Sequence, residues 1–319
     1  MQFYLAPMEG LTGYLYRNAH NVHFNHIDKY FSPFIVANQS DRMKSREIND
    51  ILPENNHGIT LIPQLLTNNA KDFIHTSRKI SSLGYEEINL NLGCPSGTVV
   101  AKNRGAGFLA KKEQLDSFLE EVFAEAVTKI SVKTRIGLDD PEEFYELIDI
   151  YNKYPLAELI IHPRIQKDYY KNKPNWSVFR DALSLSKHTV CYNGDIFTVS
   201  DYKEFTKSFP EVKNIMIGRG LLVNPGLILE ITDGIRPDKD KLNAFHRQIY
   251  EGYQAVLFGE RNVLFKMKEI WFYLIQLFEE NGKYSKKIRK AERLKDYEEA
   301  VASIFQDLEL KKEDKITIF

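Results

Sequence analysis

The amino-acid sequence predicts a (β/α)8 TIM barrel followed by a small C-terminal helical bundle. Three observations carry this expectation. Short β-branched or apolar runs alternate with longer amphipathic stretches, the pattern of βα units around a parallel sheet. Eight such runs can be counted before the pattern stops near Asp233. Beyond that point the chain is rich in long apolar and charged side chains at helical spacing. A single barrel takes about 250 residues, and a chain of 319 residues, 43% of them hydrophobic, has material for a barrel and a modest second domain.

The runs are, in order, FYLAP from Phe3, YFSPFIV from Tyr30, TLIPQLL from Thr60, EINLNLG from Glu87, ISVKTR from Ile130, ELIIHPR from Glu158, TVCYNG from Thr189 and NIMIGRG from Asn214. Amphipathic segments lie between them. One begins near Asn69 and stops at Gly84, with Phe73, Ile74, Ser77, Ile80 and Leu83 as its stripe. The segment TDGIRPDKDK, with Gly234 and Pro237, reads as a linker. It divides a barrel domain over 1–233 from a helical domain over 240–319, with helices near 241 to 258, 262 to 281 and 290 to 308.

Composition narrows the class. No run of about 18 consecutive apolar residues occurs, so no membrane span is expected. The opening MQFYLAPMEG reads as a buried strand rather than a signal peptide. Two cysteines in unlike contexts, Cys94 and Cys191, point away from a disulfide framework and toward a reducing compartment, the cytoplasm. The net charge of −1 gives no global sign of a nucleic-acid partner, so any RNA-binding surface must be local.

In such barrels the active site lies at the C-terminal ends of the strands, which gives weight to polar residues that end an apolar run. Here they are Pro7, Met8 and Glu9; Gln64; Asn91 and Cys94; Lys133 and Arg135; His162 and Arg164; Asn193 and Asp195; and Gly218 and Arg219. The last two ends, YNGDI and IGRG, combine glycines with an arginine, which suits a phosphate held by backbone N–H groups; Gly194, Gly218 and Gly220 serve tight turns equally well. Lys133 interrupts an apolar strand and needs an acceptor or a solvated cavity. It suits a cation beside an electron-accepting ring, a Schiff-base nucleophile, or a salt bridge to a neighbouring strand. Cys94, in NLGCPSG, sits on a loop constrained by Gly93, Pro95 and Gly97. A thiol with an ordinary pKa of about 8.5 is mostly protonated near neutrality and suits a general acid as well as a latent nucleophile. Cys191, inside TVCYN, is expected to pack in the barrel wall.

Other features carry less. His20, His23 and His26 are spaced by three, with no second ligand cluster, and no metal site is expected. KNRGAGF lacks the full pattern of a nucleotide loop. The segment from Lys283 to Lys295 holds seven Lys/Arg and one glutamate, which suits an RNA backbone or a merely solvated helix face.

Together, LAPMEGLTGYLYR, NLNLGCPSGTVVAKNRGAG, VKTRIG, NGDI and IGRG, in that order, resemble the tRNA-dihydrouridine synthase family from Leu5 to about Leu229, with a looser likeness in the helical tail. The resemblance implies an FMN-containing barrel that draws electrons from NADPH and reduces the C5–C6 double bond of particular tRNA uridines. It implies that Pro7, Met8 and Glu9 line the flavin, that Gln64 and Lys133 contact its ring system and that His162 lies beside it. Asn193, Gly194, Asp195, Gly218 and Arg219 would hold the ribityl phosphate. Cys94 corresponds to the acid that protonates C5, and the lysine ambiguity resolves toward a flavin partner. Asn91, Arg135 and Arg164 are expected to meet the substrate base, and Lys286, Lys287, Arg289 and Lys290 the surrounding tRNA. A monomer is expected. The sequence departs from the family pattern in IDKYFSPF, where Asp28 receives no cofactor role, in Pro163 after His162, and in Gly107 within RGAGFLA.

Overall fold

The structure is a computed structural model that describes residues 1–40 and 43–312. Its strands are β1 (Gln2–Leu5), β2 (Lys29–Phe31), β3 (Ile35–Val36), β4 (Leu61–Ile62), β5 (Gln64–Leu66), β6 (Glu87–Leu92), β7 (Lys129–Arg135), β8 (Leu159–His162), β9 (Val190–Tyr192) and β10 (Asn214–Ile217). Helices α1 (Tyr14–Phe24), α2 (Ser45–Ile51), α3 (Ala70–Ser82), α4 (Gly97–Val100), α5 (Lys112–Ala124), α6 (Glu143–Tyr151), α7 (Trp176–Leu185), α8 (Val199–Ser208), α9 (Arg219–Val223) and α10 (Leu227–Asp233) separate or follow them. Four more close the chain: α11 (Lys239–Val256), α12 (Glu260–Leu274), α13 (Gly282–Lys290) and α14 (Leu294–Asp307).

The sheet order is β3-β5-β6-β7-β8-β9-β10-β1-β2-β4. β2 and β3 are two halves of one stave, and so are β4 and β5. β2 pairs with β4 and β3 with β5, so the two ends of that order belong to adjoining staves and the ring closes with eight, as in a TIM barrel. The breaks fall at Pro33 and Pro63, whose missing N–H groups interrupt the ladder. All the pairings are parallel, and the strands are buried along almost their whole length, which is why they read as continuous apolar runs.

Helix α3 occupies the expected segment because Asn69 caps it, its side chain accepting from the Asp72 N–H at 3.0 Å, and Gly84 ends it at φ +96°. The tail differs from the expected three helices. The second ends at Leu274 and the basic segment forms its own helix, α13, after a turn in which Glu280 takes φ +47° and Phe278 bridges to Leu310. Residues 313–319 of the expected helical domain lie outside the described residues.

The described chain forms two compact units. The first comprises Met1–Pro7, Asp28–Gly194 and Phe209–Met216 and contains the barrel sheet. The second comprises Met8–Ile27, Asp195–Ser208 and Ile217–Phe319. Inside the barrel, Tyr4, Ala6, Phe31, Ile62, Ile160, Cys191 and Met216 form one buried cluster. Within the second unit, α1 packs on α11 through edge-to-face contacts of Phe245 with Phe24 (5.3 Å) and Tyr16 (5.4 Å). Among the described residues no helix is long and apolar enough to cross a membrane.

Candidate active site

Strand alternation decides which side chains share the barrel interior. Residues two apart point the same way, so Ile62, Asn89, Ser131, Ile160 and Cys191 are followed toward the strand ends by Gln64, Asn91, Lys133, His162 and Asn193. The register sets Asn91 opposite Lys133 and Arg135 opposite His162. Five of the residues singled out by sequence therefore face the same side of the sheet, although not at one level, since Gln64 pairs with Asn89 and Lys133 with Ile160.

The backbone around Cys94 is held from several directions. Asn91 Oδ1 accepts from the N–H groups of Gly93 (3.0 Å) and Cys94 (2.9 Å). Asn91 Nδ2 donates to Gln64 Oε1 (2.7 Å), Gln64 Nε2 to Asn89 Oδ1 (2.8 Å), and Asn89 Nδ2 to Ser131 Oγ (3.0 Å). This relay of donors and acceptors, buried throughout, fixes each amide's orientation and anchors the cysteine loop to the barrel interior. From the other side, Arg135 Nε donates to the Gly93 carbonyl (3.1 Å), Gln166 Nε2 to the Pro95 carbonyl (2.9 Å), and the Ala106 N–H to the Cys94 carbonyl (3.1 Å). Gly105, at φ +54°, packs so closely that a Cβ there would stand 2.9 Å from Cys94 Cβ. The Cys94 thiol is reduced and half-buried.

Arg135 does more than meet this loop. Its Nη1 and Nη2 donate to the carbonyls of Ile165 (2.8 Å) and Tyr169 (2.7 Å), so one buried guanidinium ties the loop after β6 to the loop after β8. Burial, opposed by the nearby Tyr170 and reinforced by Arg164, brings its pKa down to about 10, and it remains a cation. Arg164, also buried, donates through Nε to the Asn172 carbonyl (2.6 Å) and through Nη1 to His162 Nε2 at 3.2 Å. Arginine has no acceptor. His162 therefore accepts at Nε2 and carries its proton on Nδ1. The half-exposed Tyr170 ring lies 6.1 Å from His162 and 5.6 Å from the Arg135 guanidinium.

Lys133 is the unsatisfied member of this set. No carboxylate or hydrogen-bond acceptor engages its ammonium among the described residues, which removes the salt-bridge alternative. Burial first, and the Arg135 charge second, pull its pKa down to about 8.

At the seventh stave, Asn193 Nδ2 donates to the Met216 carbonyl (2.8 Å), and Gly194 stands where a Cβ would collide with the Tyr192 hydroxyl at 2.0 Å. In the second unit, Arg219 Nη2 donates to Asp195 Oδ1 at 2.6 Å and its guanidinium lies 5.2 Å from the Phe197 ring. Gly220 packs directly on the Ile196 carbonyl, where a Cβ would stand 2.0 Å away. The short helix α9 starts at Arg219. Met8 lies in a turn closed by Thr12, whose Oγ1 accepts from the Met8 N–H (2.8 Å); Glu9 beside it is exposed. Lys286, Lys287, Arg289 and Lys290 lie exposed on α13, far along the chain from the barrel residues. The three discounted histidines have separate partners: His20 the Pro225 carbonyl, His23 Gln248 and His26 Asp233.

Sequence reasoning missed Asn89, Ser131, Gln166, Gly105 and Tyr170. Asn89 was readable, two residues before Asn91 on the same face. Gln166 was not, because only the folded loop brings it to Pro95.

Residues 4–313 match the family described as Dihydrouridine synthase (Dus). The chain belongs to that family. Relatives include the tRNA-dihydrouridine(16) synthase of Pseudomonas putida, 30% identical over 240 residues that cover 72% of this chain and 73% of the relative. The enzyme of the same name from Pasteurella multocida is 30% identical over 71% of this chain and 75% of its own length. A probable tRNA-dihydrouridine synthase of Staphylococcus aureus is 25% identical over 70% of this chain and 69% of its own. Among solved structures, a variant of NCR from Zymomonas mobilis superposes with a TM-score of 0.51 at 13% identity, covering 76% of this chain and 90% of that one. Morphinone reductase gives 0.51 at 11% identity, covering 76% and 88%. At such identities these two neighbours speak for the barrel fold alone.

Proposed function

We propose that this chain is a flavin-dependent tRNA-dihydrouridine synthase that reduces the C5–C6 double bond of a tRNA uridine, with Cys94 as the proton donor. Uridine 16 is the first position to examine, because the P. putida and P. multocida relatives carry that position in their names. The observation that carries the reading is the Cys94 loop: five hydrogen bonds fix the backbone from Gly93 to Pro95 while the thiol stays half-buried at the strand ends, in a member of the dihydrouridine synthase family.

FMN, when bound, supplies the hydride for C6 of the uracil and is recharged from NADPH. Lys133 fits such a group, because its ammonium lacks any anion among the described residues and would lie against the ring system. Gln64, His162, Pro7, Met8 and Glu9 would line the same ring, and His162 would offer its Nδ1–H. Asn193, Gly194, Asp195, Gly218 and Arg219 would hold the phosphate, Arg219 by its guanidinium.

Cys94 then acts on the uracil face opposite the hydride. Negative charge develops toward C5 and O4 as C6 gains hydride, and a thiol held still by its own backbone can pass a proton to C5 without reorganising. Asn91 sets the height of that thiol, and Arg135 and Gln166 hold its loop against the loop after β8. Tyr170 offers an aromatic face beside His162 for the base. Such a base must first be swung out of the folded tRNA, at a cost of a few kcal/mol.

Residues 240–319 are assigned to the grip on the surrounding RNA, and residues 1–233 to catalysis. Mapping dihydrouridine in tRNA from cells lacking this gene tests the reading: one uridine unmodified, and restored by the intact gene, is expected. An unchanged dihydrouridine map would overturn it.

A further inference from the structure

Helix α12 buries one side, through Val263, Leu264, Met267, Ile270, Trp271 and Leu274. Its other side carries aromatic rings in water: Phe265 is 61% exposed and Phe272 54%, and Phe258, in the turn just before the helix, is 96% exposed. The seven-residue spacing sets Phe265 and Phe272 about 10 Å apart along one stripe. Scattered apolar side chains at a surface are ordinary, whereas aligned aromatic rings mark a surface that meets a partner.

The charge beside them identifies the partner's chemistry. Helix α13 packs on α12 and exposes Lys283, Lys286, Lys287, Arg289 and Lys290. Among the described residues no carboxylate lies within ion-pairing distance of these five. Arg261, between Phe258 and Phe265, is likewise exposed and unpaired among the described residues. Cations for a phosphate backbone next to rings for base faces are the composition of a single-strand nucleic-acid platform. An apolar face of a second protein copy gains nothing from uncompensated lysines. The stripe is also well placed within its own unit: Lys266 of α12 donates to the Gly10 carbonyl at 2.9 Å, in the turn that follows Met8 and Glu9.

We propose that Phe265 and Phe272, with Phe258, form a stacking platform for unpaired bases of the tRNA. This rests on the function proposed above, which makes tRNA the substrate; bases outside its stems present faces that such rings can cover.

The test is binding of unmodified tRNA by the holoenzyme across a salt series, for the wild type, F265A, F272A, F265A/F272A and F265W, with sedimentation of each. Each alanine is expected to raise Kd by about 5- to 100-fold, with the slope of log Kd against log salt unchanged, because no charge is lost. F265W is expected to bind as the wild type does, and NADPH oxidation without tRNA is expected to stay constant in all. Wild-type Kd in F265A/F272A overturns the platform. So does a wild-type dimer that the double variant dissolves without change in tRNA affinity, which would make the stripe a contact between copies. Wild-type protein that binds tRNA through the rings yet forms no dihydrouridine would instead overturn the proposed function and leave the binding surface standing.

Discussion

Replacing Lys133 with methionine isolates the tension at the centre of the barrel. The ammonium has an ordinary pKa of 10.5, and burial with the Arg135 charge brings it to about 8 in the folded chain. At about 1.4 kcal/mol for each tenfold change in the equilibrium, that drop opposes the charged, folded form by about 3 kcal/mol. The side chain is only half-buried and keeps some water, which reduces the figure to about 1–2 kcal/mol. The sign follows from proton counting. Between pH 8 and 10.5 the unfolded chain binds the proton more readily, so stability falls as pH drops through that window and the penalty is complete below pH 8. Lys133→Met keeps the length of the side chain and removes the charge. The flavin-free variant should therefore melt about 2–4 °C above the flavin-free wild type at pH 7, the difference should shrink toward pH 10, and the variant should retain little FMN. Differential scanning fluorimetry on stripped protein measures the first two, and absorbance of the purified protein the third. A variant that melts lower than the wild type at pH 7 would show that the ammonium is satisfied by the protein itself, and the case for Lys133 as a cation beside an electron-accepting ring would fall with it.

Other perturbations test the surroundings. Asn91→Ala leaves the Gly93 and Cys94 N–H groups without their acceptor; a loss of about 1–3 kcal/mol is expected, with faster alkylation of Cys94 by iodoacetamide, and wild-type alkylation would contradict the assigned clamp. Lys29 lies 2.8 Å from Glu87 and 3.8 Å from the buried Glu158, so Lys29→Met should cost about 3–5 kcal/mol by stranding the carboxylates; an unmoved urea midpoint would refute this. Burial lowers His20 to about 4 and His246 to about 3 from an ordinary 6.5. The unfolded chain then takes up more protons below pH 6.5, so unfolding free energy should decline between pH 6.5 and 4. His20→Gln, which can still donate to the Pro225 carbonyl, should flatten that decline, and an equally steep one would show that other groups govern it.

Much of the fold was legible because parallel barrel strands are apolar on both faces and end abruptly in polar residues. That Gln64, Asn91, Lys133, His162 and Asn193 share one face could be read from that alone. What could not be read was how those polar groups are used. Arg135 and Asn91 stand at strand ends like substrate ligands, yet the folded chain directs their hydrogen bonds to the backbone of two loops, a choice made by loop conformation and invisible in spacing. The breaks at Pro33 and Pro63 left the runs looking continuous, since proline interrupts the ladder without ending the stave. In the tail, apolar periodicity ran past Leu274, and the turn at Glu280 that frees α13 lies beside a bridge from Phe278 to the distant Leu310.

In the proposed reaction Cys94 protonates a uridine that has received a hydride. Purified wild type and Cys94→Ala, each loaded with FMN, can be given NADPH and unmodified tRNA, and the RNA read by mass spectrometry nucleotide by nucleotide. One uridine is expected to gain the mass of two hydrogens with the wild type, and the variant is expected to hold FMN equally well while forming little product. Product at the wild-type rate from Cys94→Ala would contradict it.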